Sequence, residues 1–248
     1  MINLKYVQTP NLPIHADTVI VSECITREMA DSLKRFGCGI LYAPNIPMAF
    51  EGISDHPDCR IAHMGGNVFI AAPDAAQYYK NLLPDANLIQ GISPVGGNYP
   101  GDAAYNIAWI GNRAMHNIKC TDARAAEFIG GKIINTKQGY SKCSTCIVDE
   151  NSIITEDISI SRAAEKAGID VLKIQYGGVR LRGADYGFIG GCCGKLRRDL
   201  LAFFGDVSAH PEYERIFSFC TRRGVTPVSL SRCPLTDFGS ILPICEKE

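Results

Sequence analysis

Short apolar runs and amphipathic stretches alternate along the chain, and the alternation recurs roughly every 40 residues. The first instance predicts a strand over 18–21, a helix over 26–36 and a strand over 39–42. In that helix Ile25, Met29, Leu33 and Phe36 fall on one face, and Gly37 supplies the stop. The second predicts a strand over 67–70, a helix over 74–83 opened by Pro73-Asp74 and ended by Pro84, and a strand over 87–89. The third predicts a strand over 105–110, a helix over 121–129 with Thr121 as N-cap, and a strand over 132–134. The fourth has strands over 146–148 and 153–154 around the turn Asp149-Glu150-Asn151, a helix over 159–167 and a strand over 171–174. The fifth predicts strands over 187–189 and 200–204, a helix opening at Pro211, and a strand over 225–230. Residues 238–244 form one further strand.

The unit is therefore strand–strand–helix–strand, repeated five times. Such units cannot bury both faces alone, so they either stack linearly or close into a ring. The spare C-terminal strand favours a ring, because the first copy lacks a hairpin partner that this strand can supply. The competing architecture is a doubly wound sheet, but no Gly-x-Gly-x-x-Gly turn follows the first strand. The expected fold is α/β: a five-bladed, pseudo-symmetric α/β propeller in one domain over 1–248. Its repeats run over 15–62, 63–100, 101–138, 139–182 and 183–232, and 233–248 closes it.

Composition narrows the function classes. The 248 residues are 46% hydrophobic and 21% charged, with a net charge of −1. That balance argues against a nucleic-acid partner, which needs a broad basic surface. Lys195, Arg197 and Arg198 read as a short solvated turn. No apolar run is long enough to span a membrane, and the first residues lack the basic start and apolar block of a secretory leader. The eleven cysteines then read as reduced thiols in a cytoplasmic protein, with Cys24, Cys38 and Cys220 as small buried hydrophobes.

Three short stretches carry a family resemblance. Met64-Gly65-Gly66-Asn67-Val68 is similar to a Glu-Gly-Gly-Asp/Asn strand entry, and Gly139-Tyr-Ser-Lys-Cys143-Ser-Thr145 to a Gly-x-x-x-Cys-x-Thr nucleophile loop. Gly101-Asp102-Ala103-Ala104-Tyr105-Asn106 stands where a Gly-His-x-Asp entry is expected. With the repeat, they resemble the pentein superfamily of guanidino-group modifying enzymes: deiminases, dimethylarginine hydrolases and amidinotransferases. That superfamily also holds a ribosome anti-association factor without a catalytic site. Gly177-Gly178 and Gly183-Ala184-Asp185-Tyr186-Gly187 resemble the inter-blade turns of this non-catalytic branch. The departures are Met64 for the Glu, Asp102 for the His and Ala104 for the Asp; Cys143 also lies in the fourth unit, where the enzymes carry the nucleophile in the last.

Attack on a guanidinium carbon needs a thiolate, a proton donor for the leaving nitrogen, and carboxylates that hold the planar cation. Carboxylates stand at the unit entries Asp17, Asp102, Asp185 and Asp237, where Asp is also a common turn residue. Lys142 beside Cys143 favours the thiolate. His63 and His15 are the candidate acid–base groups. The resemblance thus implies Cys143, His63 and Asp102 as catalytic residues, with Asp17, Asn67, Asn106 and Asp185 binding a small cationic ligand and no cofactor. Two alternatives stand beside it. One is a non-catalytic binding module on the same scaffold. The other is a thiol redox or metal protein built on Cys143-x-x-Cys146, although no second ligand pair of zinc-like spacing follows and Cys192-Cys193 are adjacent. Gly190, Gly191 and Gly194 form either a ligand approach or a tight turn, and not a phosphate loop.

Overall fold

The structure, a computed structural model, describes residues 5–47, 50–96 and 99–247. The leader reading on Met1–Leu4 lies outside them.

Each unit builds one small sheet on the same plan. A first strand pairs antiparallel with a central strand, and after a helix the third strand pairs parallel with the centre. In the second unit these are β4 (Ile61–Gly65), β5 (Val68–Ala71), α2 (Ala76–Leu82) and β6 (Asn87–Gln90). The third has β7 (Ala108–Ile110), β8 (Arg113–His116), α3 (Ala123–Ile129) and β9 (Ile133–Asn135). The fourth has β10 (Cys146–Asp149), β11 (Ser152–Thr155), α4 (Ile158–Lys166) and β12 (Asp170–Lys173). The fifth has β13 (Cys193–Arg197), β14 (Leu200–Phe203), α5 (Tyr213–Thr221) and β15 (Thr226–Ser229).

The first unit has β2 (Ala16–Val21), α1 (Arg27–Arg35) and β3 (Gly39–Tyr42) but, among the described residues, no hairpin partner of its own. The C-terminal β16 (Leu242–Glu246) takes that place, antiparallel to β2, and β1 (Lys5–Tyr6) adds an edge. The spare strand thus completes the first unit, as its sequence position predicts.

Burial orders the strands. The third strands β3, β6 and β12 share one pattern, exposed at both ends and half-buried between, whereas the first and central strands are mostly buried. Each helix closes the cleft between its own sheet and the preceding one. Met29 and Leu33 of α1 pack with Val19 of β2 and Leu200 of β14, while Ile160 and Ala164 of α4 pack with Ile110 of β7 and Ile153 of β11. Five apolar clusters of this kind join the first sheet to the second, second to third, third to fourth, fourth to fifth, and fifth back to first. That cyclic order of packing is the one a closed ring of blades requires, and burial of these clusters is the main stabilising term.

Several local expectations change. β4 and β8 were not predicted: His63 and the Gly65-Gly66 turn mask β4, and Arg113 and His116 bracket β8 with polar ends. Residues 187–189 are a loop, because their donors go elsewhere: Gly187 N to Val179 O, Phe188 N to Asp237 Oδ2 and Ile189 N to Glu156 Oε1. The strand of that unit starts at Cys193. Lys195 is no solvated turn residue; it sits in β13 opposite Leu201, 2% exposed, and its ammonium is met by Arg198 O at 2.6 Å. Asp122, not Thr121, caps α3, accepting from Arg124 N at 3.0 Å, while Thr121 Oγ1 bonds His116 Nδ1. Cys24 is exposed, whereas Cys38 and Cys220 are buried.

Candidate functional site at the meeting point of five strand entries

The segments that lead into the five first strands meet at one place. Before β4 they bring His56, Asp58 and Cys59; before β7, Asp102 and Asn106; before β10, Tyr140, Lys142 and Cys143; before β13, Gly190 and Gly191; before β16, Asp237 and Ser240. Hydrogen bonds stitch these entries together. Asn106 Oδ1 accepts from Lys142 N at 2.7 Å and Cys143 N at 3.0 Å, and its Nδ2 donates to Cys143 Sγ at 3.1 Å. Gly191 N donates to Cys143 O at 2.8 Å, and Ser240 N to Gly191 O at 2.7 Å. Glycine is required at 191, since a β-carbon there would collide with the Asp237 carboxylate.

A polar chain runs through this hub. Lys142 Nζ donates to Ser240 Oγ at 2.9 Å, Ser240 Oγ reaches Asp58 Oδ2 at 2.7 Å, and Cys143 Sγ donates to the same Oδ2 at 3.0 Å. All four side chains are nearly inaccessible to solvent. Ser240 is held at φ 75°, a left-handed conformation that costs a non-glycine residue of order 1 kcal/mol or more and that packing here enforces. The Asp58 Oδ1 atom and His56 Nδ1 are buried without a hydrogen-bond partner among the described residues. His56 Nδ1 lies 3.7 Å from Asp237 Oδ1.

Above the chain lies a cavity of about 50 Å³ lined by Phe50, Ile53, His56, Tyr140, Cys143, Leu181, Phe188 and Asp237. A thiol, an imidazole and a carboxylate therefore face one small, mostly apolar space. Burial pushes the Cys143 thiol well above its ordinary value, and the Asp58 and Asp237 carboxylates push it the same way. Burial also raises Asp237, against the lowering effect of His56. Two wider clefts, about 710 and 840 Å³, flank residues 8–14, but neither is lined by a cysteine or histidine. Among the described residues, one donor set can hold a metal ion: ligand atoms of His56, Asp58, Cys59 and Cys143 all lie within 4.8 Å of one another.

Of the residues singled out from sequence, Cys143, Lys142, Asn106 and Asp237 sit in the hub. Asp102 is one step out, accepting from Tyr140 OH at 2.6 Å, and burial raises its carboxyl. His63 approaches from the opposite side, lining with Asp58 and Lys142 a gap of about 10 Å³. Its Nε2 bonds Gly66 O at 2.8 Å and its ring stacks on Phe69. Asn67 and Asp185 are exposed in turns away from the hub, Asp17 lies on β2 near Lys247 Nζ at 3.6 Å, and His15 bridges to Arg197. Sequence reasoning missed His56, Asp58, Cys59 and Ser240. The signal was the run Asp55-His56-Pro57-Asp58-Cys59 just ahead of β4, which became visible only with that strand.

The profile of a family of unknown function, DUF6873, matches residues 20–242. The chain belongs to that family. No curated protein matches the sequence. Among solved structures it is similar to SxtG, an amidinotransferase from Microseira wollei in the saxitoxin biosynthetic pathway, at 12% identity and TM-score 0.56, covering 94% of this chain and 96% of that one. It is also similar to the inosamine-phosphate amidinotransferase StrB1 from Streptomyces griseus, at 9% identity and TM-score 0.58 over 96% of both chains. A third is the agmatine deiminase of C. jejuni, at 12% identity and TM-score 0.53, covering 92% of this chain and 90% of that one. This DUF6873 protein has the pentein fold of the guanidino-group modifying enzymes. Among its described residues no helix is long and apolar enough to cross a membrane.

Proposed function

We propose that this protein is a cysteine-dependent enzyme of C–N bond chemistry, a hydrolase or amidinotransferase acting on a small guanidino or amine compound. The observation that carries the reading is one cavity faced by the Cys143 thiol, the His56 imidazole and the Asp237 carboxylate. Its volume, about 50 Å³, exceeds the roughly 10–15 Å³ needed to admit one water, so a small polar group can enter it. Two fold neighbours are amidinotransferases and one is an agmatine deiminase.

The geometry supports the following sequence. The cation enters between the rings of Tyr140 and Phe188 and pairs with Asp237. Its positive charge offsets the anionic surroundings that hold the Cys143 proton on. Cys143 passes that proton to Asp58 Oδ2, 3.0 Å away, and the thiolate attacks the guanidinium carbon. The C–S bond forms, the C–N bond to the leaving nitrogen breaks, and His56 supplies the proton that nitrogen takes. Water in a hydrolase, or an acceptor amine in a transferase, then adds to the carbon after giving a proton to His56. The C–S bond breaks and Asp58 returns its proton to Cys143. Lys142, donating to Ser240, brings a positive charge close to the carboxylate that receives this proton.

A panel of arginine-like, agmatine-like and other guanidino compounds, assayed for released ammonia, urea or amine, tests this reading. The expected result is turnover that Cys143→Ala abolishes. Turnover unchanged in that variant would refute the mechanism. A non-catalytic binding module is the second reading, favoured by the burial that raises the thiol; thermal stabilisation by a compound that is never turned over is its signature.

A further inference from the structure

Four side chains of the hub converge in a way that C–N chemistry alone does not use. Cys59 is wholly buried against Cys143 and has no role in the sequence of steps above, and Asp58 Oδ1 is buried without a partner among the described residues. One ligand atom each from His56, Asp58, Cys59 and Cys143 falls within 4.8 Å of the others. We infer that these four residues form a Zn²⁺ site, and that the metal-loaded protein is a closed resting form in which Cys143 is held as a ligand.

The donor set fits the ion. Two thiolates, an imidazole and a carboxylate are the ligand types of tetrahedral zinc, and softer thiolate ligands select zinc over magnesium or calcium. Zinc bonds of about 2.0–2.3 Å set edges between ligand atoms of about 3.3–3.8 Å. A span of at most 4.8 Å needs a contraction of about an ångström, within the reach of side-chain rotation. The charge also closes: Asp58 and two thiolates carry three negative charges, the ion two positive, and the Lys142 ammonium supplies the third from across Ser240. Asp237, 3.7 Å from His56 Nδ1, stands where a carboxylate orients a zinc-bound imidazole. The cavity lined by His56 and Cys143 is the entry path. Loading releases the two thiol protons, so binding tightens as pH rises.

The metal-binding claim stands without the proposed activity; the resting-form claim rests on it. The experiment therefore carries two separate readouts on the full chain. Protein is equilibrated with Zn²⁺, passed through a weak chelator, and its metal content measured; a parallel Co²⁺ load is read by absorption. One zinc per chain and an intense thiolate-to-cobalt band are expected. Cys59→Ser should weaken binding at least about 100-fold, while Cys193→Ser, a buried thiol of another cluster, leaves it unchanged and guards against a folding artefact. His56→Gln serves if Cys59→Ser fails to fold. Loss of all zinc to the weak chelator, or a six-coordinate cobalt spectrum without the thiolate band, overturns the site. In the second readout, stoichiometric Zn²⁺ suppresses guanidino turnover at least 10-fold and a chelator restores it. Full turnover by zinc-loaded protein overturns the resting form. Zinc binding together with no turnover of any compound by the metal-free protein leaves the site standing and refutes the enzymatic reading.

Discussion

Cys143 and Cys146 are three residues apart, both buried, both with a thiol that burial pushes well above its ordinary value, yet they end in different environments. Cys143 sits in the hub, where Asn106 donates to its sulfur and Asp58 accepts its proton. Cys146 begins β10 and points into the apolar cluster between the fourth and fifth sheets, among Val148, Ile154, Leu201 and Phe203. After burial, the Cys59 thiol and then the Asp58 and Asp237 carboxylates raise the first thiol, while other thiols alone, chiefly Cys193, raise the second. The difference teaches that a buried thiol is made competent by groups that can take its proton and by a space that can admit a counter-charge. A cation in the cavity relieves Cys143 and cannot reach Cys146. The Cys-x-x-Cys spacing, which suggests a redox or metal pair in sequence, is divided between a chemical and a packing role.

The largest expected effect comes from breaking this contrast directly. Cys143→Ala should lower kcat/KM at least about 10³-fold with little change in unfolding temperature, since the lost thiol already borders a cavity. Cys146→Ala should do the reverse, leaving kcat/KM within about twofold and destabilising by about 1 kcal/mol through the void in the apolar cluster. Steady-state kinetics and denaturant unfolding of both variants check it. Equal kinetic losses would erase the distinction.

Next in size is the relay that sets Asp58. Lys142→Met removes the cation behind Ser240, and with it the positive charge that offsets the anions gathered at Asp58, Asp237 and the Cys143 thiolate. The expected result is a 10–100-fold loss of kcat/KM at neutral pH, with the ascending limb of the pH profile displaced. A drop confined to KM would instead make Lys142 a substrate contact.

Much of this was legible in the chain. Period and turn residues located all five helices and the β-β-α-β plan, because most central strands, such as Val68–Ala71, are uninterrupted apolar runs, although β8 with its polar ends escaped. Gly139-x-x-x-Cys143-x-Thr145 pointed to one hub thiol. The first strands were harder: β4 reads Ile-Ala-His-Met-Gly and β13 Cys-Gly-Lys-Leu-Arg, since their neighbours in the hub are polar. Missing β4 hid the entry ahead of it, and with it His56 and Asp58. Ser240 gave no sequence signal, since its place depends on a backbone conformation that packing imposes.

A third test uses the acid next door. Burial raises Glu156 from 4.5 to about 8, while its Oε1 accepts from Ile189 N. The folded state therefore holds a proton that the unfolded chain has released. This group's stabilising contribution is complete below about pH 4.5 and disappears as pH climbs through about 8. Glu156→Gln keeps the hydrogen bond and removes the titration. It should gain about 1–3 kcal/mol over the parent at pH 8 and nothing near pH 4.5, as read by denaturant unfolding. A gain independent of pH would place the effect in packing, not in the proton.

The smallest effect is expected at His63, and it sets that residue apart from His56, the other histidine beside Asp58. His63 donates from Nε2 to Gly66 O, stacks on Phe69 with ring centroids 4.4 Å apart, and burial lowers it to about 4. It is neutral when folded, so its contribution to stability is full above the ordinary 6.5 and is lost as pH falls through about 4. Glutamine at this position can keep a donor on Gly66 O and carries no charge. His63→Gln should thus leave kcat/KM within about twofold at neutral pH, while the fall in stability between pH 6.5 and 4 becomes shallower. His56→Gln, by contrast, should cost at least about 10²-fold in kcat/KM, because its imidazole faces the cavity with Cys143. If the two losses come out reversed, the proton carrier works from the Asp58–Lys142 side of the hub, and the entrance of the substrate must be sought there.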